Sequence, residues 1–341
     1  MVQPPDEELL STCFQEVTGT TPTSITPLHP HASERRMYRL THGDTTMVGV
    51  AHSSHAENDA FVALARHFSS LNLPVPIIYS YKPTDGVYLE QDLGEINLLD
   101  YLLSERARSG EAFPASVEQA YKKALGTLPR FQIEAADSLD FSRCLGTHTS
   151  FSAILFHDMQ SFAHELVGRL LPTYSTDTLA PDFTRLVSYL GQAQSSYFLY
   201  RDFQSRNIML VKGEPYFIDF QSGLKGPLQY DVISLLYQSS AKIPEEHRQS
   251  LVETYLQAVA AHTVCDREEF FRHYPAFIVS RMLQVLGVYG RQGLGANKEY
   301  FVKSIPAALI TLDRELRSPL IGIELDGLRA CSEALLNSIQ A

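Results

Sequence analysis

The chain has 341 residues, of which 44% are hydrophobic and 20% charged. These are ordinary globular proportions, and the length suits one two-lobed domain or two domains. The net charge of −11, with no dominating basic block, argues against general nucleic-acid binding, which needs clustered cations against phosphate.

The N-terminal residues 1–8 are acidic and contain proline, unlike an export signal, and no run approaches the about 18 apolar residues of a membrane span. A reducing cytoplasm is therefore the expected setting. Four scattered cysteines, Cys13, Cys144, Cys265 and Cys331, read as free thiols. Residues 5–18 suit a short helix, and strand-like runs follow near 23–28, 37–41 and 45–51. A turn at Thr41-His42-Gly43-Asp44 separates the last two. Phe61, Leu64 and Phe68 recur at helical spacing within 54–72. Residues 77–82 and 86–91 read as a hairpin. The segment Gln91-Asp92-Leu93-Gly94 is the expected boundary between a small β-rich N-lobe (1–93) and a larger, mainly helical C-lobe (94–341). The fold class is α+β. From Leu98 onward the pattern is helical, with one interruption.

That interruption, residues 200–220, carries the chemistry. It reads Tyr-Arg-Asp-Phe-Gln-Ser-Arg-Asn, an apolar run, Lys-Gly-Glu-Pro, then Tyr-Phe-Ile-Asp-Phe. Residues 208–211 suit a buried strand, Lys212-Gly213-Glu214-Pro215 a turn, and 216–218 the returning strand. Asn207 precedes the first strand and Asp219 follows the second, so antiparallel pairing brings them together. Mg²⁺ prefers hard oxygen ligands, and an Asn carbonyl with an Asp carboxylate suits it. Asp202 is then free to accept a proton from a substrate hydroxyl. Taken singly, Asp202 and Asn207 are surface loop residues and Asp219 a strand-end cap; the strand–turn–strand context makes them a set.

The segment resembles the catalytic loop and metal-binding Asp of the protein-kinase-like fold, in its small-molecule branch, the aminoglycoside phosphotransferase and choline kinase superfamily. The run Arg-Asp-Phe-x-Ser-Arg-Asn, Ile-Asp-Phe-Gln, Gly226-Pro227 and Tyr230-Asp231 is most similar to the N-acetylmuramate/N-acetylglucosamine anomeric kinases. The stretch from Arg281 to Arg291, with Tyr300 and Pro306, is similar to the helical C-terminal region of that group. The resemblance spans about residues 33–311. It implies ATP and Mg²⁺ as cofactors and a small-molecule hydroxyl acceptor, with no nucleic-acid or membrane partner; it leaves the oligomeric state open.

The resemblance implies an adenine against the backbone near Glu90 and Asp92. The N-lobe departs from the kinase pattern: there is no Gly-x-Gly-x-x-Gly loop, and Val48-Gly49-Val50-Ala51 lacks the strand lysine. Phosphate would be held by the turn containing Ser33, with Arg35 or Arg36 adding charge. Glu57 then pairs with Arg35, Arg36 or Arg39, or is solvated or locally capped. Tyr200 stands where the family usually has His and is expected to pack beneath the loop. Arg201 pairs with a carboxylate, orients the loop or is exposed; Arg206 reaches phosphate or substrate, or bonds the loop. Asp231 braces the catalytic loop, caps a helix beginning at Val232, or both. Gln221 replaces the Gly of Asp-Phe-Gly.

The substrate candidates are Asp158, Gln221 and Arg281. Asp158 lies on an amphipathic helix expected over 151–171, where it binds sugar hydroxyls or faces solvent. Arg281, Gln284 and Arg291 share one helical stretch and suit a carboxylate or N-acetyl group. Phe270, Phe271, Tyr274 and Phe277 read as core. The leading expectation is an ATP-dependent phosphotransferase for a cell-wall amino sugar. An aminoglycoside, choline or amino-alcohol kinase would share the same catalytic residues, and a nucleotide-binding scaffold is the non-enzymatic alternative.

Overall fold

The structure, a computed structural model, describes residues 6–28 and 35–340. The chain divides into two compact units, one of residues 1–147 with 205–223, the other of 148–204 with 224–341.

The first unit holds a five-stranded antiparallel sheet in the order β1-β2-β3-β5-β4, from β1 (Ser24–Leu28), β2 (Arg36–His42), β3 (Thr45–Ala51), β4 (Ile78–Lys82) and β5 (Val87–Gln91). Helix α1 (Asp6–Thr18) packs Leu10, Cys13 and Phe14 against Leu40, Met47, Val87 and Leu89. Helix α2 (His55–Ser70) is started by Ser54, whose hydroxyl accepts the Glu57 N–H. Its apolar stripe follows the expected spacing. Phe61 stacks on Phe220 with ring centroids 5.0 Å apart, and Phe68 meets Phe131 and Phe220 edge-on. Helix α3 (Leu98–Ser109) is capped by Asn97, which accepts from the backbone of Leu99 and Asp100. Helix α4 (Ala115–Pro129) follows.

The second unit is mainly helical. Helix α5 (Phe151–Ser161) leads through a π-turn (Phe162–Val167) into the short α6 (Gly168–Leu170). The helix expected over 151–171 is thus interrupted near its middle. Then come α7 (Ala180–Leu190), the two-stranded pair β6 (Tyr197–Leu199) with β9 (Leu224–Gly226), and α8 (Leu228–Leu236). Helices α9 (Glu245–Val259), α10 (Arg267–Tyr289), α11 (Glu299–Leu316) and α12 (Asp326–Gln340) complete it. The 23-residue α10 is buried on most sides and serves as the central helix of the unit. Gly290, the residue that follows α10, approaches the π-turn so closely that a Cβ on it would lie 2.4 Å from the Glu165 carbonyl oxygen. Of the four aromatics expected in the core, Phe270, Tyr274 and Phe277 are buried, whereas Phe271 is 39% exposed. It sits on the outer face of α10, where Arg267 lies over its ring. Among the described residues the cysteines are free, and no helix is long and apolar enough to cross a membrane.

The hairpin β7 (Ile208–Val211) and β8 (Glu214–Phe217) belongs to the first unit. Its turn is tighter than the sequence suggested. Only Lys212 and Gly213 lie outside the ladder, with φ +52° and +81°, and Pro215 pairs with Leu210. A two-residue turn with positive φ at both positions matches the twist of the flanking strands. The hairpin is anchored by two backbone bonds, Leu210 N–H to Ile96 O (2.8 Å) and Phe217 N–H to Pro74 O (2.8 Å).

Candidate active site

In the first unit the hairpin places Asn207 and Asp219 side by side. Asn207 Nδ2 donates to Asp219 Oδ2 at 3.0 Å, and the Ile218 N–H donates to the Asn207 carbonyl at 3.1 Å. Gln221 Nε2 donates to the other oxygen, Asp219 Oδ1, at 2.9 Å. The position where the family usually carries glycine therefore supplies a clamp on the carboxylate. Asp219 has φ +69°, a left-handed conformation few non-glycine residues adopt and one that recurs at functional sites. An amide oxygen beside a carboxylate, both half-buried, is a hard donor set that suits Mg²⁺ completed by phosphate oxygens.

The candidate nucleotide residues lie in the same unit. Ser33 falls outside the described residues. Arg35 Nη2 lies 3.5 Å from Glu57 Oε2, and His52 Nε2 lies 2.9 Å from the same oxygen. Glu57 is thus paired, although its side chain remains 40% exposed. Its histidine partner, which follows β3 directly, was not anticipated. Asn58 fixes that corner by donating to the carbonyls of His52 and Gly86. Arg36 is engaged elsewhere, in a bidentate pair with Asp6 of α1. Arg39 grips Asp92 through two bonds, at 2.6 and 3.1 Å, and reaches Glu95. Burial disfavours the charge on Asp92, yet the Arg39 fork and the Gly94 N–H outweigh it and hold the carboxyl below its ordinary value. Glu90 is different. Burial pushes its carboxyl up to about 8 against the pull of Arg35, and Oε2 has no hydrogen-bond partner.

In the second unit the loop after β6 is held from below. Asp231 Oδ2 accepts the Tyr200 N–H and Oδ1 the Arg201 N–H, both at 2.9 Å. Asp231 is fully buried and sits within the first turn of α8, which begins at Leu228. A negative charge there is favoured by the exposed N–H groups of the helix start. It does not cap a helix starting at Val232, because the helix has already begun. The buried Tyr200 packs edge-on to Phe203, with centroids 5.3 Å apart. Arg201 takes φ +74°, so two adjacent backbone donors turn inward and Asp202 follows on a strained, fixed loop.

Around Asp202 the unit gathers buried polar groups. Asp158, on α5, is 8% exposed, and burial raises its carboxyl above the ordinary value despite Arg201 and Arg281 nearby. Arg281, on α10, is 5% exposed; its guanidinium lies 5.7 Å above the Tyr230 ring and interacts electrostatically with Asp202. Asp158 is therefore no surface residue, and α5 and α10, far apart in sequence, bring it near Arg281. Gln221 is placed with Asp219 in the first unit. Arg206 is half-buried in the single turn of 3₁₀ helix Ser205–Asn207.

A five-stranded antiparallel sheet, a largely helical second unit and an Asp-x₄-Asn loop leading into an Asp-terminated hairpin define the protein-kinase-like fold, and with it a class of phosphotransferases. The profile of the phosphotransferase enzyme family (APH) matches residues 24–270, and the chain belongs to that family. It is 26% identical over 293 residues to the N-acetylmuramate/N-acetylglucosamine kinase of Pseudomonas aeruginosa, covering 84% of this chain and 81% of that one. It is 27% identical over 305 residues to the same-named enzyme of Neisseria meningitidis serogroup B, covering 84% of each. Among solved structures, the choline kinase LicA of Streptococcus pneumoniae superimposes with a TM-score of 0.60 at 11% identity, over 90% of this chain and 99% of that one. The spectinomycin phosphotransferase APH(9)-Ia, in complex with ADP and spectinomycin, gives 0.56 at 11% identity, over 96% and 98%. These likenesses share the fold. The protein is an ATP-dependent kinase with a small-molecule acceptor.

Proposed function

We propose that the protein transfers the γ-phosphate of ATP to a hydroxyl, the anomeric one, of a cell-wall amino sugar such as N-acetylmuramate or N-acetylglucosamine, in the cytoplasm. The similarity to the two bacterial amino-sugar kinases supports the acceptor. The observation that carries the chemistry is the loop pinned by Asp231 at Tyr200 and Arg201, with Asp202 next in the chain.

On this reading residues 1–93 bind the nucleotide, and the larger remainder carries catalysis and acceptor binding. The adenine lies against the backbone near Glu90 and Asp92; Ser33, Arg35 and Arg36 are the phosphate-side residues, and Glu57 steadies Arg35. Arg36 would have to leave Asp6 to take part, so Arg35 is the stronger contributor. Asn207 and Asp219 hold Mg²⁺, which when bound neutralises charge on the phosphates. Gln221 acts through Asp219, as its clamp. Asp202 accepts the proton of the acceptor hydroxyl as its oxygen bonds to the γ-phosphorus, the bridging P–O bond breaks and ADP departs. Arg201 shapes the loop and Arg206 offers charge towards the phosphate.

The test is ADP release by the purified chain with MgATP and a panel of N-acetylmuramate, N-acetylglucosamine, an aminoglycoside and choline. Turnover is expected on the amino sugars. Asp202→Asn is expected to lower kcat by about 10²–10⁴-fold with MgATP affinity retained. Turnover confined to the aminoglycoside or choline would overturn the acceptor assignment, and an active Asp202→Asn enzyme the assignment of the base.

A further inference from the structure

Among the described residues of the second unit, the fully buried polar atoms without a hydrogen-bond partner include Asp158 Oδ2, an acceptor, and Arg281 Nη1, a donor. Their side chains are themselves more than nine-tenths buried. Leaving a charged donor and a charged acceptor unsatisfied in the same neighbourhood costs more than leaving neutral ones, and buried polar atoms in folded proteins are nearly always paired. The two groups are close enough to influence each other and Asp202 electrostatically, and Asp202 is the residue assigned above to the acceptor hydroxyl. Gln284, one turn along α10 from Arg281, adds a third buried atom without a partner, Oε1.

A ligand that satisfies this neighbourhood must present a donor to Asp158 and an acceptor to Arg281. Resting on the amino-sugar reading above, the group next to an anomeric hydroxyl is the substituent at carbon 2. A secondary amide there has one N–H donor and one carbonyl acceptor on opposite sides. An ammonium offers donors alone and repels Arg281. A bare hydroxyl offers both roles from a single atom and cannot span two separated partners as an amide does. We propose that Asp158 and Arg281 are the specificity residues for the acetamido group: Asp158 Oδ2 accepts the amide N–H and Arg281 Nη1 donates to the amide carbonyl. Tyr230, beneath the guanidinium, holds Arg281 in place for this.

The experiment compares kcat/KM for N-acetylglucosamine, glucosamine and glucose in the wild type, Asp158→Leu, Asp158→Asn, Arg281→Met and Arg281→Lys, with sugar affinity measured by calorimetry. Loss of one hydrogen bond to a charged group is expected to lower the ratio of N-acetylglucosamine to glucose about 10- to 100-fold in the Leu and Met variants. Asp158→Asn, which keeps an acceptor oxygen, should recover part of it. Melting temperature and MgATP affinity identify a variant that has not folded; in that case the Asn and Lys variants decide. A ratio within about twofold of wild type in the folded variants, with all sugars falling together, overturns the proposal and makes the pair structural. A wild type that turns over neither amino sugar overturns the acceptor reading and this assignment with it, whereas an active wild type with an unchanged ratio overturns the assignment alone.

Discussion

At the scale of single residues, the groups that matter are those whose surroundings oppose their chemistry. Glu90 sits in β5 between Val48 of β3 and Ile78 of β4, with almost no water and one unsatisfied oxygen. Its folded-state value of about 8 lies above the ordinary 4.5, so between these the native state binds a proton that the unfolded chain releases. The sign follows: its contribution costs nothing at pH 4 and grows more destabilising as pH rises to about 8, then levels off. Glu90→Gln removes the titration and keeps the shape. It should raise the melting temperature over wild type at pH 8–9 and by much less at pH 5, read by circular dichroism across pH. Equal effects at both values would mean that Glu90 is already ionised when folded. Asp231 illustrates the opposite solution, a buried carboxylate accepting two N–H groups at once. The spacing of Asp202, Asn207 and Asp219 was legible because the intervening chain is short and its strands local. The Asp158–Arg281 neighbourhood was not, because α5 and α10 meet only after folding.

At the scale of elements, the β7–β8 hairpin and α4 make opposite demands on glycine. Gly213 closes the turn at φ +81° with open space around its Cα, so an added Cβ meets no atom and only the backbone conformation is penalised. Gly126 lies inside α4 with ordinary helical geometry and equally open space. Gly213→Ala should therefore destabilise by about 1 kcal/mol, the cost of a left-handed conformation for an L-residue, while Gly126→Ala should stabilise by about 0.5–1 kcal/mol. Urea titration of the two variants checks both signs. A shared sign would show that one of the two backbone conformations is misassigned. Sequence reading placed the hairpin strands but spread the turn over four residues. Proline is usually a turn marker, and here Pro215 lies on a two-stranded ribbon, where an unbonded position tolerates it.

At the scale of the whole molecule, the chain passes three times between its compact units, at 147–148, 204–205 and 223–224. The second crossing cuts the loop between Asp202 and Asn207, so the proton acceptor and the metal candidates belong to different units although five residues apart. Nucleotide binding should be readable without any acceptor. At about 100 times its Kd, MgATP adds about 2.7 kcal/mol of stability by mass action. A rise of a few degrees in melting temperature is the expected result, saturating with concentration and retained in Asp202→Asn. No shift at any concentration would remove the nucleotide from the scheme.

The sequence by itself determined the class of chemistry. Asp202, Asn207 and Asp219 are joined by short local structure, and the alternation and helical spacing of apolar residues specified the strands and helices around them. Tertiary structure alone decided which charges are satisfied. Glu57 meets Arg35 and His52, Arg36 turns to Asp6, Arg39 to Asp92, and Asp231 reaches back thirty residues to two backbone donors. The physical reason is range. Backbone preference acts over a few neighbours in the chain, whereas the desolvation of a charge and the choice of its partner depend on which distant segments pack around it.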